Sequence, residues 1–243
     1  MFLHDVISYA REHMPVAKPG PVNGRPGTEL LRGLEPQDVE LVVAAARRRR
    51  FPARSVMTRQ GERADQLLLL WKGRARYFFH TPNGKKLNLI WITPGRTFGG
   101  AALASRPSTY LVSAEAVRDS IVLAWDRPTI RALAQRFPQL LENVYLSALD
   151  YLSWYVAAHA ALTSQTARDR LAYVVLGYAP SIGQEISGGI ELDVTNEELA
   201  NAANISPYTT SRLISEWQKT GAIRKQRGKI LLRSARKLFL HAA

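Results

Sequence analysis

The chain predicts an α+β protein: an N-terminal antiparallel β-roll of the barrel or jelly-roll kind, then a long helix, then a C-terminal winged helix-turn-helix. Three observations carry this. Gly61, Gly73, Gly84 and Gly95 fall at steps of 12, 11 and 11 between short runs of Leu, Ile, Val and aromatic residues, which is strand and turn spacing. Phe137, Leu141, Val144, Ala148, Tyr151, Tyr155, Ala158 and Leu162 follow at alternating steps of 4 and 3, a heptad seam. Thr195 to Leu232 reads as a capped helix, a short turn, a second capped helix and a small hairpin.

Composition narrows the function. The 243 residues carry 33 Lys and Arg against 20 Asp and Glu, a formal charge of +13, and 46% hydrophobic residues supply cores for two domains. Such an excess favours a polyanionic partner, nucleic acid or an anionic membrane surface, and composition alone does not choose. The absence of cysteine excludes disulfides, a cysteine-ligated iron–sulfur cluster, Cys-type zinc and a thiol nucleophile. Apolar runs such as Asp65 to Trp71 are too short to span a bilayer, so the expectation is a cytoplasmic protein with no membrane partner. Carboxylates are scattered, with no base–nucleophile pair and no ligand spacing, so no catalytic residue and no metal site is expected.

The elements follow in order. Residues 1–27, dense in Pro and Gly after a short helical stretch at Asp5 to Arg11, read as a loosely ordered arm. Residues 28–132 form the roll domain. It opens with a helix, a turn at Pro36 and a second helix, which Arg47 to Arg50 close as a solvated basic terminus. In the roll, Asn83-Gly84 signals a type I′ hairpin. Residues 133–163 form a helix of about 40 Å, longer than a small domain needs, which suits a parallel homodimer. Leu140, Leu152 and Trp154 lie off its seam and are placed against the barrel. Residues 164–243 form the winged domain. Ser206 caps its second helix with Pro207 at the first turn, and Thr210, Leu213, Ile214 and Trp217 are its core face. From Pro207 to Ala243 there are nine basic residues and one acid, Glu216, so charge and motif coincide and point to DNA.

The chain resembles the CRP/FNR superfamily of bacterial transcription regulators over about residues 28–235. The motifs are Leu30-Leu31-Arg32-Gly33-Leu34, Arg59-Gln60-Gly61-Glu62, Gly73-Arg74, Thr97-Phe98-Gly99, Ala167-Arg168-Asp169-Arg170-Leu171-Ala172, Thr195-Asn196-Glu197-Glu198-Leu199-Ala200 and Ile205-Ser206-Pro207-Tyr208-Thr209-Thr210-Ser211-Arg212. The resemblance implies a cyclic-nucleotide-binding-like roll and a bacterial homodimer. It further implies an inverted-repeat double-stranded DNA site, RNA polymerase as a partner, and a small-molecule effector. It places the effector near Phe98, Gly99, Gly100, Ser108, Thr109 and Tyr110. Where cyclic-nucleotide binders carry a Glu for the ribose and an Arg for the phosphate, this chain has Gly100 and Ser108. Losing both anchors argues against cyclic AMP bound in the usual way, with Arg106 the nearest substitute. In the recognition helix Pro207 and Tyr208 replace the family's usual residues, while Arg212 is retained as the guanine reader. Ser206, Thr209 and Ser211 are its base-edge or phosphate neighbours, and Lys229 and Arg227 are wing phosphate contacts.

Some relatives of this type bind haem, for which His80 and His159 are the candidates here, ahead of His4 and His13. A lone His is more often a surface or satisfied residue. Trp71, Tyr77, Trp91, Phe98 and Tyr110 suit an apolar effector pocket, or simply the core. The rival reading is an effector-binding or interaction module of the same fold whose DNA binding is weak and sequence-blind.

Overall fold

The computed structural model describes residues 28–226 and 228–239. The expected arm, with His4 and His13, lies outside the described residues, as does Arg227. The chain divides inside its long helix into two compact units, one ending at Leu149 and the other beginning at Asp150.

The first unit packs two four-stranded antiparallel sheets face to face. The strands are β1 (Arg47–Phe51), β2 (Val56–Thr58), β3 (Gln66–Lys72), β4 (Ala75–His80), β5 (Lys86–Ile92), β6 (Thr97–Phe98), β7 (Ser113–Ala116) and β8 (Ser120–Asp126). They run in the orders β1-β8-β3-β6 and β2-β7-β4-β5. Strand β3 shows why its sequence is an unbroken run of leucines. Leu68 and Leu70 face the space between the sheets with Phe98, Ile92 and Ala114. Leu67 and Leu69 face the other way, onto Leu30, Val42, Trp125, Ile130 and Leu140. Both faces of β3 are buried, so the alternation of a half-exposed strand is lost. The second cluster is roofed by α1 (Pro36–Ala44) and α2 (Arg127–Arg136), and the Trp125 indole inside it donates to the Val42 carbonyl at 2.8 Å.

Three expectations are corrected here. Arg47 to Arg50 do not end a helix: they are β1, an edge strand paired with β8 from Arg47↔Ala124 to Phe51↔Ser120. Phe51 anchors it in the core, and the four exposed arginines bar a foreign strand from pairing with that edge. Asn83-Gly84 does not make a two-residue turn. Thr81 and Lys85 close a loop of three, in which Gly84 takes φ +80° and donates to the Thr81 carbonyl at 2.9 Å. The long helix, α3 (Gln139–Ser164), starts after Pro138, so Phe137 ends the preceding segment and is buried in the core rather than standing on a seam.

A buried polar network fixes the N-terminal segment to the first turns of α3. Arg96 Nη1 lies 2.6 Å from Glu29 Oε1, and both side chains are almost wholly buried. Ser147 donates to the other oxygen of Glu29 at 3.1 Å, and the Asn143 amide donates to the carbonyls of Leu30 and Arg32 at 2.9 Å each. The network adds directional contacts to two chain segments that already share the helix-side apolar cluster through Leu30, Leu140 and Val144.

The second unit holds α4 (Ala167–Ile182), β9 (Gln184–Ile186), β10 (Gly189–Leu192), α5 (Asn196–Ala203), α6 (Pro207–Lys219), β11 (Ile223–Gln226) and β12 (Lys229–Leu232), with sheet order β11-β12-β10-β9. Helix α4 continues through Gly177 to Ile182, with Ala179 and Ile182 extending its buried face. Both predicted caps form. Glu198 accepts from the Thr195 backbone at 2.9 Å, and Ser206 accepts from Thr209 at 3.0 Å. Between them Asn204, at φ +50°, makes the left-handed turn that lets α6 leave α5. Arg170 on α4 braces that turn, donating to the carbonyls of Ala203 at 3.0 Å and Asn204 at 3.4 Å.

Candidate nucleic-acid interface and effector region

Helix α6 buries Thr210, Leu213, Ile214 and Trp217, and the Trp217 indole donates to the Leu238 carbonyl at 2.8 Å. The opposite face is therefore fixed toward solvent. On it Tyr208, Arg212, Ser215 and Lys219 recur at steps of 4, 3 and 4, and Tyr208 is 80% exposed. Ser206 and Thr209 are committed to the cap: their hydroxyls lie 2.8 Å apart, leaving Pro207 exposed at the first turn. Ser211 is half-buried, and its carbonyl accepts from Ser215 at 2.9 Å.

Arg212 is not a loose side chain. Its Nη1 lies 3.3 Å from Glu216 Oε1, one turn further on, and the second oxygen of Glu216 is held by Arg168 of α4. The sequence names both Glu216 and Arg168 but gives neither a role at this surface. The i,i+4 spacing to Arg212 was a visible signal for Glu216, whereas Arg168 lies 48 residues from Glu216 and comes near only through the fold.

On the wing, Arg224 and Lys225 of β11 are exposed. Lys229, read from the sequence as a phosphate contact, also makes a cross-strand ion pair: its ammonium lies 2.6 Å from Glu191 of β10.

In the roll, Phe98 is core and Gly99 turns the chain at φ +80°. A Cβ on Gly99 would stand 2.6 Å from the Gln66 carbonyl, so only glycine fits. At Gly100, where the family pattern has a carboxylate, a Cβ would stand 2.8 Å from Val144 Cγ1 of α3. Helix packing occupies that side chain's place. Tyr110 turns inward: its hydroxyl donates to the Gln66 carbonyl at 3.0 Å and accepts from the Gln66 amide at 3.2 Å. Burial raises its pKa, which keeps that donor protonated. Arg106, Ser108 and Thr109 lie on an exposed loop, and the Ser108 carbonyl accepts from Ala64 at 2.8 Å. The residues present do not fit a cyclic nucleotide held by a carboxylate and a guanidinium from these positions. Nor do the aromatic candidates gather into one lining. Trp71 packs on the helix-side cluster, Tyr77 and Phe98 on the inter-sheet cluster, and Trp91 under the Arg74 guanidinium 5.5 Å from its ring. His80 is exposed, edge-on to Phe78 with ring centroids 5.2 Å apart, and His159 is exposed on α3. Among the described residues no three His, Asp or Glu side chains are placed to hold a metal ion.

Along α3 the seam read from the sequence shifts. Val144 faces the core, Tyr151 is half-buried, and the side chain of Ala158 lies outside the description. Leu141, Tyr145, Ala148, Leu152, Tyr155, His159 and Leu162 make one exposed run at steps of 4 and 3, with Leu146, Leu149 and Val156 exposed beside it. Leu152, placed on the barrel from the sequence, is 58% exposed, while Leu140 is buried as expected.

A β-roll continuous through a long helix with a winged helix-turn-helix whose second helix presents a basic, exposed face defines a DNA-binding regulator. A cyclic nucleotide-binding domain model matches residues 48–137 and a Crp-like helix-turn-helix model residues 169–239. The cyclic AMP receptor protein of Thermus thermophilus is 29% identical over 209 residues, 86% of this chain and 94% of that one. The anaerobic regulatory protein of Bacillus subtilis is 24% identical over 79% and 82% of the two chains. Among solved structures, the c-di-GMP-responsive global regulator CLP of Xanthomonas campestris shares the fold with TM-score 0.72 at 18% identity, covering 82% of this chain and all of that one. The chain belongs to the CRP/FNR superfamily, and it is a transcriptional regulator rather than an enzyme.

Proposed function

We propose that the protein acts in the cytosol as a homodimer on an inverted-repeat DNA site. Its roll biases the two winged helices through α3 in response to an effector other than a conventionally anchored cyclic nucleotide. The observation that carries the dimer is the exposed apolar stripe of α3, in which Tyr145 is 61% and Leu152 58% exposed. An apolar a/d stripe in water needs a partner, and a second copy presents the same stripe in register. Twofold symmetry then sets the site as two half-sites roughly 34–36 Å apart, about one helical turn. Arg212 reads a guanine in each half. Tyr208 and Ser211 touch neighbouring base edges or phosphates, the capped start of α6 (Ser206, Pro207, Thr209) lies against the backbone, and Arg224 and Lys225 take wing phosphates beside Arg227 and the paired Lys229. RNA polymerase is the further partner that the family relationship supports.

The test is selection from random DNA by the full-length protein, followed by sedimentation of the complex. Two copies on one inverted repeat support the reading. Binding that tracks salt but prefers no sequence would favour the interaction-module alternative.

A further inference from the structure

We propose that Arg168 is a positioning residue for base reading: it clamps Glu216, and the clamped carboxylate orients the Arg212 guanidinium. This rests on the assignment of Arg212 to guanine.

The argument starts from a charge that looks misplaced. Glu216 is the one acid among the last 37 residues, and it sits on the helix that faces DNA. A carboxylate there repels phosphates unless it is neutralised and has a task. An exposed Arg–Glu pair at i,i+4 orders little by itself, because both side chains are long and solvated. Here the pair is asymmetric. Arg212 is 59% exposed on its side chain and Glu216 28%, but Arg168 is only 12% exposed. Its guanidinium lies 5.9 Å from the ring centroid of the fully buried Trp217. Arg168 is thus too enclosed to reach a phosphate, and it grips one Glu216 oxygen while leaving the other aimed along α6 at Arg212. Glu216 becomes a fixed acceptor instead of a swinging one. Arg212, held through Nη1, keeps further N–H groups for the O6 and N7 of guanine and loses fewer rotamers on binding. Residues on α4 therefore take part in sequence discrimination without touching DNA.

The test compares three duplexes with full-length protein by fluorescence anisotropy. One is recovered by the parent protein from a random pool, the second has its Arg212-read guanine pair replaced, and the third is scrambled. Glu216→Gln and Arg168→Gln should each lower the preference for the first duplex over the second about fivefold to tenfold. Against the scrambled duplex Glu216→Gln should bind somewhat more tightly, since a negative charge is lost. Arg168→Gln added to Glu216→Gln should change the preference no further. Arg168→Lys, which keeps the charge but loses the fork, should fall between parent and Arg168→Gln. If Arg168→Gln does not fold, Glu216→Gln and Arg168→Lys carry the test. An unchanged preference in these variants, with Arg212→Ala flattening it, overturns the clamp and leaves Arg212 as reader. An unchanged preference in Arg212→Ala overturns both.

Discussion

At Glu115 three groups settle one charge. The carboxylate lies 2.7 Å from Arg76 and 2.6 Å from Lys86, and only a few per cent of its surface is exposed. Burial alone would raise its pKa, but the hydrogen bonds from Lys86 and Arg76 outweigh it and hold the carboxyl below its ordinary 4.5. A depressed folded-state value means that the stabilisation is present above 4.5 and lost as pH falls through the folded pKa. Glu115→Gln should cost about 1–3 kcal/mol near neutral pH, and less in acid. Urea melts of parent and variant across that range should therefore converge as pH drops. Base reading makes a different demand. Arg212→Ala should cost about 1–3 kcal/mol on the selected site and flatten preference at one base pair, whereas Lys225→Ala should weaken all sequences alike and reduce the salt slope by about one. Anisotropy titrations at several salt concentrations distinguish the two.

Helix α3 shows where a periodic pattern in the sequence misleads. Its residues are apolar on nearly every side, so more than one 4-3 register can be drawn through it. The register through Val144 runs in unbroken steps of 4 and 3 from Phe137 to Leu162, and a second one runs just as regularly from Leu141 through Tyr145 and Leu152. The structure keeps Leu141, Ala148, Tyr155 and Leu162 of that register exposed but turns Val144 and Tyr151 inward, beside two polar residues, Asn143 and Ser147, which are buried with Leu30, Arg32 and Glu29 as partners. Polarity normally marks the solvent face; here it marks the packed one, and nothing in the helix's own sequence says so. The shift can be tested. Tyr145→Glu with Leu152→Glu should give a folded monomer by sedimentation with helical circular dichroism intact, since each places a charge in the outward stripe. Val144→Glu should instead destabilise the roll by several kcal/mol. The second unit was more legible because its signals are local. Thr195 with Glu198 and Ser206 with Pro207 each declare a helix start within four residues.

For the whole molecule, the family pattern was readable from short motifs. The departure at Gly100 was readable too, but not the crowding that accompanies it, which comes from Val144, 44 positions away. That distance has a consequence for attempts to restore nucleotide binding. Gly100→Glu alone should not bind cyclic AMP in calorimetry at millimolar ligand, because its Cβ meets Val144 before any carboxylate reaches a ribose. The same substitution combined with Val144→Ala relieves the contact at Cβ but still lacks the guanidinium at Ser108. Binding by the parent protein with a site in the roll would overturn this.

The Glu29–Arg96 pair also sets where the chain can be cut. Cleavage on the N-terminal side of Thr28 leaves every bond of that network in place. Cleavage just beyond Glu29 removes the carboxylate and leaves the Arg96 guanidinium enclosed without it, and Ser147 loses its acceptor. That penalty is about 3–5 kcal/mol, against a total of about 5–15 for an ordinary domain. A limited-proteolysis ladder should therefore accumulate at a fragment beginning no later than Thr28, and shorter products should be depleted, because a roll trimmed past Glu29 gives up about a third or more of its stability and is digested faster through its unfolded form.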